Sequence, residues 1–187
     1  MSDLEKQDLK NKKVIVRVDL NVPLDDNDNV TDTTRIVACK ETVDLILEKG
    51  GTCILISHLG RPKGKENKFS LKKIVDTVSS VLNHPVFFYE DCVGQGAQEA
   101  ISKLDQGSII LMENLRFYQE ETLGDRVFAK NLSELGDIYV NDAFGTCHRE
   151  HASTVVITEY FENKKFAGKL LQKELEAINQ ISNNGKK

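Results

Sequence analysis

Arginine is scarce in this chain, and the positions of its arginines are the first indication of chemistry. There are six, at Arg17, Arg35, Arg61, Arg116, Arg126 and Arg149. Arg61, Arg116 and Arg149 come just after apolar segments that are candidate strands, and Arg35 follows the loop after the first such segment. If those strands are parallel, the four side chains meet at one edge of the sheet. Because a guanidinium binds phosphate or carboxylate through paired hydrogen bonds, the spacing predicts an anion pocket.

Three other polar residues fall beside the same strand ends. Asp19 and Asn21 follow the first candidate strand, and His58 follows the second. A carboxylate acceptor and an amide beside a cluster of arginines suit a hydroxyl group. The pattern therefore predicts that the ligand is a small phosphorylated hydroxy acid.

Each of these residues also has a structural explanation when it is considered alone. Arg61 is compatible with a solvated loop charge, and Arg116 with an ion pair to a neighbouring glutamate. His58, Asp19 and Asn21 are compatible with turn residues that bond to their own backbone. Only their joint placement at the strand ends favours a binding site.

The remaining candidates for chemistry are predicted to be structural. Arg17 lies inside a strand and Arg126 on a helix face, so both are expected to form ion pairs. Asp142 is expected to cap a helix. Three histidines outside the pocket are also given structural roles: His84, His148 and His151.

The elements that must position these residues follow from the apolar patterns. Nearly continuous β-branched runs indicate strands covered on both faces, at 14–18, 53–56, 86–89, 109–112 and 138–140. Helical spacing of apolar residues predicts helices at 34–49, 70–82, 98–104, 125–135 and 169–181. This alternation predicts a doubly wound, Rossmann-like α/β fold with a mostly parallel sheet, in three αβα layers and one domain.

Composition excludes several classes of protein. The 187 residues carry a formal net charge of −4, which argues against a global electrostatic grip on nucleic acid. No segment approaches the 18 or so apolar residues of a membrane span, and the first residues are polar and acidic. The four cysteines form no CxxC pair and are expected to be buried reduced thiols, at Cys39, Cys53, Cys92 and Cys147. The expected compartment is the cytoplasm.

Common ligand-binding motifs are absent from the sequence. There is no phosphate loop, no G-x-S-x-G nucleophile elbow, and no partner ligands for a metal at 148–151. The segment 94–99 begins like a dinucleotide fingerprint, but Glu99 would repel a pyrophosphate. These absences do not exclude nucleotide binding, because they show only that its commonest signatures are missing from this stretch. No metal site is expected in this chain.

Four segments together resemble the phosphoglycerate kinase family. They are Arg17-Val-Asp-Leu-Asn-Val-Pro23, Ser57-His-Leu-Gly-Arg-Pro62, Glu113-Asn-Leu-Arg-Phe117 and Val140-Asn-Asp-Ala-Phe-Gly-Thr-Cys-His-Arg149. They occur in the order of the family and with roughly its spacing. The resemblance begins near residue 10 and extends through 171–175, which is similar to the helix that joins the family's two domains. The departures, Leu20, Glu41 and Cys147, remove no substrate contact.

The resemblance implies an enzyme of glycolysis. Phosphoglycerate kinase reversibly transfers a phosphoryl group from 1,3-bisphosphoglycerate to ADP, giving 3-phosphoglycerate and ATP, with the nucleotide as its magnesium complex. The substrate-binding residues carried over are Asp19, Asn21, Arg35, His58, Arg61, Arg116 and Arg149. Of these, Arg35 is implied to be catalytic, because it reaches the transferring phosphoryl group, and the other three arginines bind the non-transferred phosphate. Asp19 and Asn21 are implied to contact the hydroxyl and carboxyl end, with His58 near the carboxylate.

The resemblance covers only the substrate half of the family. It implies a phosphoglycerate-binding domain at 1–168 and an interdomain helix with a stub at 169–187, without the C-terminal nucleotide-binding domain. We therefore expect the isolated chain to bind 3-phosphoglycerate or 1,3-bisphosphoglycerate and to be inactive without its own C-terminal domain, where Mg-ATP or Mg-ADP binds. We expect a monomer without nucleic-acid or membrane partners.

Two other classes of function remain open at this point. One is a non-enzymatic module that binds an anion or a phosphometabolite, which would share the pocket but have no nucleotide half. The other is an interaction protein without a ligand, for which the arginines would have no binding role.

Overall fold

Strands and helices alternate along the chain in the computed structural model, which describes residues 3–146 and 149–184. The strands are β1 (Lys13–Arg17), β2 (Thr52–Ile56), β3 (Val86–Tyr89), β4 (Ile109–Met112), β5 (Ile138–Asn141) and β6 (Lys165–Ala167). The helices are α1 (Thr34–Glu48), α2 (Val75–Leu82), α3 (Gln95–Ser102), α4 (Gln119–Leu123), α5 (Arg126–Ser133) and α6 (Lys169–Asn184). Short 3₁₀ turns occupy Leu4–Lys6, Asn67–Phe69, Leu71–Ile74, Leu115–Phe117, Phe144–Thr146 and Val156–Tyr160.

The six strands form one sheet in the order β3-β4-β2-β1-β5-β6. Every neighbouring pair is parallel, from β3 with β4 to β5 with β6. Parallel strands need crossover connections, which the intervening helices supply. The predicted Rossmann-like α/β class is confirmed.

Two apolar cores lie on the two faces of the sheet and make three layers. Alternate residues of β1 face opposite ways, with Val14 and Val16 in one core and Ile15 in the other. The first core is closed by α1 and α2, and the second by α3 and α5. This double burial explains why the strand sequences are nearly continuous apolar runs.

The order of the strands brings the predicted site together. The four central neighbours are β4, β2, β1 and β5, and all point the same way. Their carboxyl ends therefore lie side by side, and the four sequence segments with the expected ligand residues follow these ends. The expected convergence on one edge of the sheet is thus a consequence of the topology.

Some elements differ from the sequence expectation. The strand β6 was missed because its three residues lie in a segment without a periodic pattern, and α4 is too short to show one. The helix expected at 70–82 begins as a 3₁₀ turn, although Ser70 caps it as predicted by accepting a hydrogen bond from the Lys72 amide. Gly96 lies within the segment 94–99 that begins like a dinucleotide fingerprint. A Cβ at Gly96 would lie 2.2 Å from the Tyr89 hydroxyl, so the glycine is explained by its close approach to that side chain.

The cysteine and membrane expectations can be compared with the same structure. Cys39, Cys53 and Cys92 are buried free thiols, whereas Cys147 and His148 lie outside the described residues. No helix in the described part of the chain combines the length and apolar character that crossing a membrane requires.

Asp142 connects the end of β5 to the start of α6. Its Oδ1 accepts hydrogen bonds from the Leu170 amide at 3.0 Å and the Leu171 amide at 3.3 Å, so the expected helix cap is present. Gly168 makes this contact possible, because a Cβ there would lie 2.2 Å from Oδ1. The Asp142 side chain is buried, and this burial raises its pKa from 3.8 to about 6.

The substitution Asp142→Asn should change the pH dependence of stability. The pKa is higher in the folded state, so the wild-type chain loses stability as pH rises from about 4 to about 6, by about 3 kcal/mol. The variant keeps an oxygen acceptor and does not titrate. Its unfolding free energy, measured by urea denaturation, should therefore rise relative to wild type between pH 4 and pH 7 by about that amount.

The control for this measurement is Asp105→Asn, because the Asp105 side chain is exposed. It should change the unfolding free energy by less than about 0.5 kcal/mol at each pH. A constant difference between Asp142→Asn and wild type across the range would show that the buried carboxylate carries no such cost.

Candidate active site

All seven residues predicted from the sequence line one cavity of about 210 Å³. They are Asp19, Asn21, Arg35, His58, Arg61, Arg116 and Arg149, and Gly145 is the eighth lining residue. Gly145 belongs to one of the four sequence segments but has no side chain that could have marked it as a ligand. The cavity is smaller than the about 300–1,000 Å³ typical for drug-sized ligands, which suits a small metabolite.

Gly60 joins the two sides of this cavity through its backbone. Its amide donates to Asn21 Oδ1 at 2.8 Å, and its carbonyl accepts from Arg116 Nη1 at 3.0 Å. The residue has φ +64°, and a Cβ would lie 2.4 Å from a ring carbon of Phe69. Glycine is therefore required for both conformation and space, and it allows Asn21 and Arg116 to approach each other.

Asn114 holds the loop after β2 against the loop after β4. Its Oδ1 accepts from the amides of Leu59 and Arg116 at 3.3 and 3.0 Å. Its Nδ2 donates to the carbonyls of Leu59 and Phe69, both at 2.8 Å. The side chain is fully buried, so these four bonds replace water that cannot reach it. Asn114 positions two of the arginine loops, and its place inside the Glu113-Asn-Leu-Arg-Phe117 segment was the only sequence signal for it.

The guanidinium groups of the cavity crowd one another. Burial, followed by the charges of Arg17 and Arg149, lowers the pKa of Arg116. Arg116 forms no ion pair within 4.0 Å of a carboxylate among the described residues, so the expected glutamate partner is not found. An anion in the cavity would relieve this repulsion, since it would supply the missing negative charge.

Asp19 and Arg35 form the opposite wall and pair with each other. Arg35 Nη1 contacts Asp19 Oδ2, while Asp19 Oδ1 accepts from the Asn21 amide at 3.1 Å. About half of the Arg35 side chain is exposed, against 16% of Asp19. Arg35 thus stands at the open rim of the cavity, where it can reach a group bound outside.

His58 is uncharged in this setting. Burial lowers its pKa to about 2, with further lowering by Arg17 and Arg116. Its Nδ1 lies 3.2 Å from Arg17 Nη2. Arg17 is itself buried and donates to Ser153 and to the Val18 carbonyl, so its structural role is confirmed but the expected ion pair is wrong.

Several residues outside the cavity complete the comparison. Arg126 makes the structural ion pair predicted for it, with Glu159.

His151 lies 4.0 Å from Glu121 and lines a second cavity of about 290 Å³. Three arginines of the first cavity also line this one: Arg61, Arg116 and Arg149. These arginines are therefore accessible from two directions.

A larger cavity lies elsewhere and has different chemistry. It measures about 700 Å³, is mainly apolar, and lies between α6 and the segment 154–166. It contains none of the seven predicted residues, so the small charged cavity at the strand ends is the better candidate for catalysis. Among residues 3–146 and 149–184, no group of three or more His, Cys, Asp or Glu side chains could hold a metal ion.

The fold and the cavity together define a class of protein. It is the class of parallel α/β domains that direct arginines, an aspartate and an asparagine from the strand ends into one cavity suited to a small anion. Residues 3–187 match the family model described as Phosphoglycerate kinase. The chain belongs to the phosphoglycerate kinase family.

Individual relatives agree with this assignment. "Phosphoglycerate kinase, cytosolic" of Triticum aestivum is 50% identical over 175 residues, which cover 94% of this chain and 43% of the relative. "Phosphoglycerate kinase 2, chloroplastic" of Arabidopsis thaliana is 49% identical over 184 residues, which cover 98% of this chain and 38% of the relative. The solved structure of phosphoglycerate kinase from Coxiella burnetii superposes with a TM-score of 0.83 at 35% sequence identity. The superposition covers 95% of this chain and 44% of that one. The chain thus spans about two fifths of the length of these relatives.

The substitution Asn114→Ala should destabilise the chain and loosen the cavity. It removes four hydrogen bonds and leaves buried backbone groups without partners. We expect the unfolding free energy to fall by about 2–4 kcal/mol, measured by urea denaturation. The matched control is Asn67→Ala at an exposed side chain, which should stay within about 0.5 kcal/mol of wild type. Equal effects of the two variants would contradict a positioning role for Asn114.

Proposed function

We propose that this chain is the substrate-binding half of a phosphoglycerate kinase. Residues 1–168 form the phosphoglycerate-binding domain, and 169–187 form the interdomain helix and stub. The full-length enzyme transfers a phosphoryl group reversibly from 1,3-bisphosphoglycerate to ADP, giving 3-phosphoglycerate and ATP. The observation that carries the proposal is the convergence of all seven predicted residues on one cavity. The relatives named above are kinases, which favours this function over a non-enzymatic anion-binding module.

Three arginines bind the non-transferred phosphate in this proposal. Arg61, Arg116 and Arg149 line the cavity together. Burial and the charges of Arg17, Arg149 and Arg61 lower the pKa of Arg116. A phosphate group accepts paired hydrogen bonds from guanidinium groups and neutralises their repulsion. The three side chains therefore bind a dianion better than a neutral ligand.

The opposite wall binds the hydroxy-acid end. Asp19 offers a carboxylate acceptor to the substrate hydroxyl. Asn21 Oδ1 is used by the Gly60 amide, which leaves its Nδ2 hydrogens for the ligand. His58, uncharged and lining the cavity, lies near the substrate carboxylate.

Arg35 serves the transferring phosphoryl group. When ATP forms, an oxygen of the ADP β-phosphate attacks the acyl phosphate and the substrate carboxylate leaves. In the reverse direction that carboxylate is already a nucleophile, so no general base is required. Catalysis then consists of positioning and of neutralising charge on the moving group, which a guanidinium at the rim of the cavity can do.

The nucleotide belongs to the other half of the full-length protein. Among residues 3–146 and 149–184, no group of three or more His, Cys, Asp or Glu side chains is placed to hold a metal ion. Leu175, Ile178 and Ile181 are exposed along one side of α6 and suit contact with the C-terminal domain. We infer a cytoplasmic monomer that binds neither nucleic acid nor membrane.

Calorimetric titration of the 187-residue chain with 3-phosphoglycerate tests the binding site. We expect weak binding that Arg116→Ala reduces by about 10- to 100-fold, because hydrogen bonds to a charged group are lost. Binding should also weaken from about 0.1 M to about 1 M salt, where the Debye length falls from about 10 to about 3 Å. The control Arg126→Ala removes an exposed arginine outside the cavity and should bind like wild type. Equal affinities for Arg116→Ala and wild type would refute the site.

Activity measurements test the division into two halves. The 187-residue chain should show no turnover with ATP and 3-phosphoglycerate, whereas the product of the coding sequence continued past Lys187 should be active. In that longer protein, Arg35→Ala should lower kcat by about 10³-fold or more, as loss of a phosphoryl-binding arginine does elsewhere. Robust turnover by the 187-residue chain, or a kcat unchanged by Arg35→Ala, would contradict the proposal.

A further inference from the structure

A chain of buried hydrogen bonds connects α4 to the floor of the anion cavity. It begins at Glu121, whose Oε1 accepts from the Ser153 hydroxyl and whose Oε2 accepts from the Ser153 amide at 3.0 Å. The Ser153 oxygen in turn accepts from Arg17 Nε at 2.9 Å. Arg17 Nη2 then reaches His58 Nδ1 at 3.2 Å. All four side chains are at most 4% exposed, although His58 also lines the cavity.

Each link of this chain has only one possible direction. A carboxylate accepts, so the Ser153 hydroxyl must donate its one hydrogen to Glu121 and keep its lone pairs for Arg17. A guanidinium has donors and no acceptor, so His58 Nδ1 must accept from Arg17. The donor and the acceptor of every hydrogen bond from Glu121 to the His58 ring are therefore determined.

The direction of the last link determines which ring nitrogen carries the hydrogen. His58 is uncharged, because burial and the nearby guanidinium groups disfavour the imidazolium. A neutral imidazole whose Nδ1 accepts carries its hydrogen on Nε2. Nε2 has no hydrogen-bond partner among the described residues, and it is not among the fully enclosed polar atoms without a partner. The ring therefore turns a donor, not a lone pair, to the cavity.

We propose that Arg17, held by Ser153 and Glu121, is a positioning residue that fixes His58 as the Nε2–H tautomer and thereby makes it a hydrogen-bond donor to the anionic substrate. The identity of the substrate rests on the proposed function, but the tautomer does not. The alternative tautomer would present a lone pair to an anion and would repel it. Arg17 thus acts on the ligand through His58, without lining the cavity itself.

Nitrogen NMR of protein labelled with ¹⁵N-histidine tests the tautomer directly at pH 7, without ligand. Each ring nitrogen shows whether it carries a hydrogen, and we expect His58 to carry it on Nε2. In Ser153→Ala the link between Glu121 and Arg17 is cut, so the Nδ1–H tautomer should become populated. The affinity for 3-phosphoglycerate should then fall about tenfold, as a hydrogen bond to a charged group is lost.

The control is Ser102→Ala, which removes an exposed hydroxyl that bonds to the Glu99 carbonyl at the end of α3. It should change neither the His58 signals nor the affinity. A packing role for Ser153 would lower stability without moving the tautomer, so the spectrum separates the two explanations.

The outcomes distinguish this inference from the proposed function. A wild-type His58 with its hydrogen on Nδ1 overturns the inference even where Ser153→Ala fails to fold. If wild type binds 3-phosphoglycerate and Ser153→Ala retains both tautomer and affinity, the inference is overturned and the proposed function stands. If wild type has the Nε2–H tautomer, which Ser153→Ala loses, and does not bind 3-phosphoglycerate, the tautomer assignment stands and the proposed substrate is wrong.

Discussion

Repulsion between guanidinium groups is the constraint on which the rest of this structure depends. Arg61, Arg116 and Arg149 line one small cavity, and the buried Arg17 adds its charge from below. Like charges repel when they are held close together, so the backbone must hold these side chains in place. The loops that carry these arginines leave the carboxyl ends of neighbouring parallel strands, and each buried strand fixes where its loop begins. An anion between these side chains would offset the repulsion that remains.

Hydrogen bonds to backbone groups, more than ion pairs, hold the arginine loops. Arg116 donates to the Gly60 carbonyl, and Asn114 joins the loops after β2 and β4 through four bonds. A carboxylate beside Arg116 would satisfy its charge and compete with a phosphate ligand. Glu121 is the buried carboxylate nearest in the hydrogen-bond chain to Arg17, and it is connected to that guanidinium through the Ser153 hydroxyl.

The same strand ends also determine where the chain goes next. Asn141 pairs with Ala167 in the sheet, and the adjacent Asp142 caps α6 through the Leu170 and Leu171 amides. The residue that caps the helix with the exposed apolar side therefore lies one position beyond β5, the strand whose loop supplies Arg149. A shift at the end of β5 would therefore move both the loop that supplies Arg149 and the cap of α6.

The sequence by itself determined the five longer strands, the parallel α/β class and all seven predicted cavity residues, because β-branched runs and loop arginines are local signals. It missed β6, which is three residues long, and it assigned Arg17 an ion pair for which the described residues offer no partner. Asn114, Glu121 and Ser153 were also missed, since a buried polar residue has the same local pattern as a solvated one. Only the tertiary structure decided these roles, because partners 32 residues apart in Glu121–Ser153 and 136 apart in Arg17–Ser153 meet only when the sheet has formed.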